Sequence, residues 1–206
     1  MITFLNCSPR LKKSNSSYFI KDIIERIDEK YNMFYLYKDD FKDIISSIKN
    51  TEKIVLVFPL YVDSPPSKLL EFFEYVDKFK IKQNALIYAI CQCGFLESIH
   101  NTIATNIIEC FCINNGYEFA GAFKIGAGEV LGNSKLRNNF FIRYDYLKKL
   151  EKFTFNLCEG KRVNLETTIK FLTIREYSYI ANINWKRKIK KYKKIGTKSK
   201  IAYEAH

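Results

Sequence analysis

Five short apolar runs, each about as long as a buried strand, constrain the fold of this chain more than any other feature. The runs are Ile2 to Asn6, Met33 to Tyr37, Ile54 to Phe58, Ala85 to Cys91 and Phe119 to Ile125. The segments between them carry apolar residues at three- and four-residue spacing, which indicates amphipathic helices. Because each parallel strand connection needs a crossover, this alternation predicts a parallel sheet with helices on both faces.

The helical segments complete a regular α/β pattern, with an apolar stripe in each that faces the sheet. They are Ser16 to Glu29, Phe41 to Ile48, Ser67 to Phe79, His100 to Asn115 and Ser134 to Glu159. Five strand–helix units predict an α/β fold with a doubly wound, five-stranded parallel sheet of strand order 2-1-3-4-5. In such a sheet, ligands bind outside the carboxyl ends of the strands, near the switch point between strands 1 and 3.

Most of the positive charge lies near the carboxyl end of the chain. The formal net charge is +12, and residues 161–206 hold 13 Lys or Arg against 3 Asp or Glu. We therefore predict a sheet domain over residues 1–160 and a basic extension over 161–206, with an amphipathic helix from Leu165 followed by a basic helix from Trp185. The favoured interpretation is a solvated helix that packs through Trp185, Ile189 and Tyr192. Contact with an anionic membrane surface is an alternative that is not favoured, and no nucleic-acid binding is expected.

The cysteines, histidines and amino terminus favour a reduced protein without a metal site. The chain begins directly with a strand-like run and lacks the basic-then-apolar layout of a signal peptide, so we expect it in the cytoplasm. Its six cysteines are interpreted as reduced thiols. Cys110 and Cys112 would point about 200° apart on a helix, and neither Cys-x-Cys pair has zinc or cluster spacing. Only two histidines are present, so His cannot form a metal triad.

The loop after the first predicted strand has the composition of a phosphate site. It places Ser8, Arg10, Ser14, Asn15, Ser16 and Ser17 just before and within the start of a helix. Backbone N–H groups and short hydroxyl side chains at a helix N-terminus bind phosphate, and an arginine can add a charged contact. The alternative is a Ser/Asn-rich loop that only caps the helix.

Three loops, in this order, resemble those of one family. Ser8-Pro9-Arg10 followed by Ser14-Asn15-Ser16 resembles the phosphate loop of the NAD(P)H-dependent FMN reductases, which have the flavodoxin-like fold. The stretch from Pro59 to Lys68 is similar to that family's segment beside the isoalloxazine ring, and Cys91 to Glu97 is similar to its loop after strand 4. The basic end, with its Trp-Lys-Arg, is similar to that of clostridial-type flavoprotein oxidoreductases. Cys7 departs from the pattern, since members commonly have glycine there.

The resemblance implies an FMN cofactor reduced by NADPH or NADH. It implies electron transfer to a small-molecule acceptor of the flavin, quinone, nitro or azo type by a homodimer. The ring would lie against the second and third loops, at Pro59, Leu60, Tyr61, Val62, Asp63, Cys93, Gly94, Phe95 and Glu97. Because hydride passes directly to flavin N5, no catalytic acid–base side chain is expected. Taken singly, Tyr61 and Phe95 are also typical of ordinary loop packing.

Several features leave a second interpretation open. Cys93 lies near the expected flavin and is a candidate for thiol reactivity, while His100 is either a proton donor or a solvated helix-start residue. Gly126-Ala127-Gly128 lacks dinucleotide-binding spacing and is interpreted as a loop beside the cofactor, a dimer neighbour or a turn. Two other functions are left open for the chain as a whole. One is a one-electron carrier like flavodoxin, and the other is a non-catalytic module that binds anionic surfaces through its basic end.

Overall fold

The computed structural model describes residues 1–79, 81, 84–132 and 139–203. Within them a six-stranded parallel sheet has the order β2-β1-β3-β4-β5-β6. The strands are β1 (Ile2–Asn6), β2 (Tyr31–Tyr35), β3 (Lys53–Pro59), β4 (Leu86–Gln92), β5 (Glu118–Ile125) and β6 (Leu165–Thr167). The predicted doubly wound architecture and the order 2-1-3-4-5 are confirmed.

The sheet has a sixth strand that was not predicted, and it lies where a helix was predicted to begin, at Leu165. Leu165 to Thr167 instead forms β6, which pairs in parallel with Phe123 to Ile125 of β5. The apolar spacing of Leu165, Ile169 and Leu172 mimics a helical stripe, whereas Ile169 is buried in the sheet unit. A three-residue strand is too short to show an alternating pattern of its own.

The first four helices lie close to their predicted positions, the short helix from Gly128 was not predicted, and one helix from Ile174 stands where two were predicted after Leu165. The helices are α1 (Asn15–Ile24), α2 (Phe41–Ile48), α3 (Ser67–Lys78), α4 (Thr102–Asn114), the short α5 (Gly128–Leu131), α6 (Phe140–Cys158) and α7 (Ile174–Tyr203). Short 3-10 turns precede α1 and α4, at Leu11–Lys13 and Ser98–Asn101. The predicted start of α6 at Ser134 lies outside the described residues.

Apolar packing covers both faces of the sheet. One core joins Leu5, Leu56 and Ala89 of the strands to buried residues of α2, α3 and α4. On the other face, Tyr146 of α6 packs against Phe19 of α1, with ring centroids 5.5 Å apart, and stacks on Phe123 of β5 at 6.0 Å. Every residue of β1 and β3 is buried, as expected for central strands of a covered parallel sheet.

A buried charged cluster joins α1 to α6. The Arg143 guanidinium donates to Asp22 Oδ2, and the Tyr146 hydroxyl donates to the same oxygen at 2.9 Å. All three side chains are at most 2 % exposed. The low dielectric around them makes these contacts strong and costly to break.

The described contacts divide the chain into two compact units, Met1–Ile169 and Lys170–His206. The predicted boundary after residue 160 therefore falls before the last strand of the sheet unit. In the second unit, the Thr173 hydroxyl accepts a hydrogen bond from the Glu176 N–H at 3.3 Å, just before α7 begins. Among the described residues, no helix is long and apolar enough to cross a membrane.

Candidate functional site

The three predicted loops leave the carboxyl ends of neighbouring strands β1, β3 and β4. Backbone hydrogen bonds continue past the strands and tie the loops to one edge of the sheet. The Leu60 N–H donates to Gln92 O at 2.8 Å, and the Cys93 N–H donates to Ile125 O at 3.0 Å. The structure thus brings the predicted site residues to the switch point between β1 and β3, where this topology binds ligands.

Asn6, at the end of β1, organises the first loop and was not among the predicted site residues. It is fully buried. Its Oδ1 accepts from the Ser8 N–H at 3.0 Å, and its Nδ2 donates to Ser17 Oγ at 2.7 Å and to Ser14 Oγ at 3.3 Å. The sequence signal for such a residue is an asparagine at the end of an apolar run, just before a polar loop, because a buried amide there has to find partners in that loop.

Ser14 and Ser17 brace the loop from within. Ser14 is the N-cap of α1, since its Oγ accepts from the Ser17 N–H at 3.1 Å. Both hydroxyls also donate to Leu11 O, at 2.5 Å from Ser14 and 2.8 Å from Ser17. In this arrangement the two hydroxyl hydrogens are used by the protein, which supports the capping role for these two residues.

Asn15 and Ser16, which lie between these two serines, carry hydrogen-bonding groups that no described residue uses. The backbone N–H groups of Asn15 and Ser16 donate to no group of the described chain, as is usual in the first turn of a helix. The Ser16 hydroxyl is buried and has no hydrogen-bond partner among the described residues. The Asn15 side chain donates to Gly128 O at 3.2 Å, and Arg10 is exposed beside the loop. Orphan donors, a hydroxyl and a nearby arginine fit a phosphate group.

The Cys7 side chain points away from this loop. It is buried within the core formed with α2, α3 and α4, and its thiol donates to Leu5 O at 3.3 Å. Burial raises the pKa of the Cys7 thiol far above its ordinary value. The cysteine therefore packs as a small apolar residue.

The second loop contains a strained turn. Tyr61 and Ser64 exchange two backbone hydrogen bonds of 3.0 Å each, and the residues between them, Val62 and Asp63, have φ of +49° and +58°. A positive φ is rare for a β-branched residue, and such strain concentrates at functional sites. Val62 is 97 % exposed at the tip of this turn. Leu60, just before the turn, packs against the core.

Tyr61 connects the second loop with the first. Its ring is 44 % exposed. Partial burial raises the pKa of the Tyr61 hydroxyl, Tyr37 adds to the rise, and the positive charge of Arg10 acts in the opposite direction. Arg10 and Tyr61 therefore share one electrostatic neighbourhood at the edge of the sheet.

In the third loop, the exposed ring of Phe95 packs against His100, which lies near Glu97. Phe95 is 56 % exposed and its ring centroid lies 4.3 Å from that of His100. His100 Nε2 is 3.9 Å from a Glu97 carboxylate oxygen. At Gly94, an added Cβ would meet nothing within 4 Å, so open space adjoins the loop backbone. An exposed aromatic ring beside open space is suited to contact with a planar ligand.

Cys93 stabilises this loop internally. Its thiol is 3 % exposed and hydrogen-bonds to Glu97 O at 3.5 Å and to Phe95 O at 3.7 Å. Desolvation raises the pKa of the Cys93 thiol, which keeps it protonated near neutral pH. These contacts favour a packing role for Cys93 over thiol reactivity.

The Gly126-Ala127-Gly128 segment packs against the third loop and donates backbone hydrogen bonds to it. The Ala127 N–H donates to Phe95 O at 2.5 Å, and the Gly128 N–H donates to Cys93 O at 2.8 Å. A Cβ on Gly126 would lie 2.1 Å from Leu96 O, and one on Gly128 would lie 2.2 Å from Gln92 Oε1. Of the earlier interpretations, these contacts favour a turn beside the third loop. No group of His, Cys, Asp or Glu that could hold a metal ion occurs within the described part of the chain.

The sheet order and the helices on both faces define a flavodoxin-like α/β protein. No protein-family model matches the sequence, and no curated protein shows significant similarity to it. Solved structures share the fold. The Trp repressor binding protein from Bacillus subtilis has a TM-score of 0.58 at 15 % identity, over 74 % of this chain and 96 % of its own.

Two further structures align equally fully. An NADPH-quinone reductase from P. pentosaceus has a TM-score of 0.55 at 16 % identity, over 76 % of this chain and 96 % of its own. An FMN-dependent NADH-azoreductase from Bacillus anthracis, solved in complex with FMN, has a TM-score of 0.52 at 15 % identity, over 76 % and 98 %. At these identities the likeness establishes the fold.

Proposed function

We propose that this protein binds FMN and transfers electrons from NADPH or NADH to a small-molecule acceptor of the flavin, quinone, nitro or azo type. One observation carries the proposal. Three loops at adjacent strand ends combine unused donors at Asn15 and Ser16 with the half-exposed rings of Tyr61 and Phe95. Solved structures of the same fold that are named as FMN-dependent azoreductase and quinone reductase support it.

The phosphate end of FMN would be held at the start of α1. The N–H groups of Asn15 and Ser16 and the Ser16 hydroxyl supply donors, and the partial positive charge of the helix N-terminus favours a dianion. The Arg10 guanidinium adds positive charge nearby. Asn6, Ser14 and Ser17 hold the loop in shape, so they act on the phosphate through the position of α1.

The flavin ring would contact the second and third loops. Tyr61 and Phe95 supply aromatic surface, and the loop backbones at Val62 and Gly94 adjoin it. When bound, FMN supplies hydride acceptance from the nicotinamide and onward electron transfer. The chain has to align the two rings and shield them from water, so we assign no catalytic acid or base.

A homodimer forms part of this proposal. Phe95, Ile99 and Ile103 follow one another along the third loop and the start of α4, and each is between 56 and 60 % exposed. Contiguous exposed apolar side chains are typical of protein interfaces. Light scattering on the purified protein measures the assembly directly.

Absorbance spectroscopy tests the proposed cofactor and donor. The purified chain, mixed with FMN and passed through a desalting column, is expected to remain yellow and to be bleached by NADPH or NADH under anaerobic conditions. Ser16→Ala should weaken FMN binding by about 10- to 100-fold, since one hydrogen bond to a charged group is lost. Ser46→Ala, at an exposed position of α2, is the matched control and should bind FMN like the wild type.

Other outcomes would contradict parts of the proposal. A protein that takes up no FMN would remove the cofactor assignment and favour a binding module. Bound FMN that neither nucleotide reduces, with a stable one-electron-reduced spectrum on photoreduction, would favour a one-electron carrier instead. Equal FMN affinities of Ser16→Ala and Ser46→Ala would exclude the Ser16 hydroxyl as a phosphate ligand.

A further inference from the structure

The second compact unit consists mostly of one basic helix that the flavin proposal does not use. Helix α7 spans Ile174–Tyr203, which is 30 residues. This range contains ten Lys or Arg and one acidic residue, Glu176. So dense a positive charge on one helix repels other copies of itself and attracts an anionic surface.

An apolar stripe runs along α7. Ile174, Tyr177, Trp185 and Ile189 recur at intervals that place them within about 120° of one another on a helical wheel. Three of these side chains are about half exposed: Ile174 is 58 %, Trp185 56 % and Ile189 50 % exposed. In the sequence the spacing continues with Tyr192 and Ile195. The packing that we expected through Trp185 and Ile189 thus leaves half of each side chain in solvent.

Cationic residues occupy the other side of the same helix. Arg175, Lys186, Arg187 and Lys190 are all exposed, and the wheel places them about 100° to 220° from Ile174. The same sector also holds Tyr179 and Ile183, and in the sequence Lys188 falls within the sector of the stripe, so the basic residues dominate this side without excluding apolar ones. Basic residues on one side and a Trp/Ile stripe on the other are typical of helices that lie in the plane of a membrane interface. Long basic side chains can keep their charges at the phosphate level while their stems cover apolar surface.

We propose that α7 binds the surface of anionic phospholipid bilayers, with Trp185 and Ile189 in the boundary between headgroups and acyl chains. Each basic residue near such a surface raises the affinity by about 5-fold, so the charge alone supplies a strong attraction. The positive charge suits both an anionic bilayer and a nucleic acid, and the apolar stripe favours the bilayer. A nucleic-acid duplex offers phosphates but no apolar layer for Ile174 and Ile189, whereas a bilayer offers both.

Vesicle binding with the full chain tests this proposal. Trp185 is the only tryptophan in the sequence, so its fluorescence reports on this helix alone. With vesicles of phosphatidylcholine and about 30 % phosphatidylserine, we expect co-sedimentation and a blue shift of the emission. Pure phosphatidylcholine vesicles should bind at least about 10-fold more weakly, and about 0.5 M salt should release most of the protein, because screening weakens the attraction.

Two variants separate the helix from the overall charge. Lys186→Glu/Arg187→Glu/Lys190→Glu should lower the affinity for anionic vesicles by more than about 100-fold. Lys38→Glu/Lys42→Glu/Lys49→Glu makes the same change in net charge at exposed positions of the sheet unit and should retain most of the binding. Ile189→Ser should lower the affinity and reduce the blue shift of Trp185 with little effect on the salt dependence.

Three results would overturn the proposal. The first is equal binding to anionic and neutral vesicles, or none to either. The second is an equal loss in the two triple variants while circular dichroism shows both folded. The third is binding of a DNA duplex at physiological salt that anionic vesicles do not displace, which would assign α7 to nucleic acid. FMN binding is measured on the same variants, so the failure of one proposal is distinguishable from the failure of the other.

Discussion

At the scale of single residues, Val62 shows best how the sequence and the structure differ. The sequence places Val62 beside the expected flavin ring, yet a β-branched side chain predicts an extended backbone, not a φ of +49°. The turn exists because Tyr61 and Ser64 exchange two hydrogen bonds around it. Backbone strain of this kind costs about 1–3 kcal/mol per residue, and nothing in the local sequence signals it.

Replacing this valine should therefore stabilise the protein. Val62→Gly is expected to raise the free energy of unfolding by about 0.5–1 kcal/mol, because relief of strain exceeds the extra chain entropy of glycine. Val62→Ala removes the β-branch but keeps the Cβ, so its effect should be smaller. Urea unfolding of both variants without cofactor makes the measurement. A Val62→Gly protein less stable than wild type would show that the turn is unstrained.

At the scale of elements, the sequence predicts strands that are buried along their whole length. It does not predict a short edge strand or a side chain whose partner is far away in the sequence. Central strands β1 and β3 are buried on both faces, so they appear in the sequence as uninterrupted apolar runs. Strand β6 has three residues at the sheet edge and gives no such signal. Arg143 was missed because its partner Asp22 is 121 residues away, and a lone arginine in a helical stretch predicts a solvated face.

The Asp22–Arg143 pair gives the prediction at this scale. Arg143→Met removes the guanidinium and leaves the Asp22 carboxylate in a buried environment, so we expect a loss of about 3–5 kcal/mol in the free energy of unfolding. The double variant Asp22→Asn/Arg143→Met should recover part of this loss, since it removes the buried charge as well. Urea unfolding of the wild type, of each single variant (Asp22→Asn and Arg143→Met) and of the double variant gives the coupling energy. Strictly additive losses would show that α1 and α6 are not joined by this pair.

At the scale of the whole molecule, the placement of the three candidate loops at one edge of the sheet was predictable, and the hydrogen bonding within them was not. Topology alone brings the ends of β1, β3 and β4 to one edge, which is why the candidate residues lie on adjacent strands. Which serine hydroxyl is engaged by the protein depends on Asn6 and Leu11 O. These contacts follow from the folded shape of the loop, and a list of short polar residues does not distinguish Ser14 from Ser16.

The buried acidic groups of the whole chain predict a loss of stability at alkaline pH. Burial raises the pKa of Tyr88 to about 12 and that of Cys112 to about 12, and it raises the pKa of Tyr146 well above its ordinary value. A raised pKa in the folded state means that folding favours the neutral form. The contribution is therefore complete below the unfolded pKa, near 10 for tyrosine, and is lost progressively between about pH 10 and 12.

Urea unfolding at pH 7, 9, 10 and 11 tests this prediction, with Tyr88→Phe as the matched variant. Net charge predicts the opposite trend up to the pI of about 9.3, since repulsion falls as the molecule approaches neutrality. A decline in the free energy of unfolding above this pH therefore has two causes, ionisation of the buried groups and renewed charge repulsion. Tyr88→Phe separates them, because it removes one buried ionisable group and leaves the net charge at neutral pH unchanged. Tyr88→Phe should lose about 1 kcal/mol at pH 7, where the hydrogen bond to Lys161 O is removed. Between pH 10 and 11 its stability should fall less steeply than that of the wild type. Parallel curves for the two proteins would mean that Tyr88 ionises equally easily in the folded and unfolded chains.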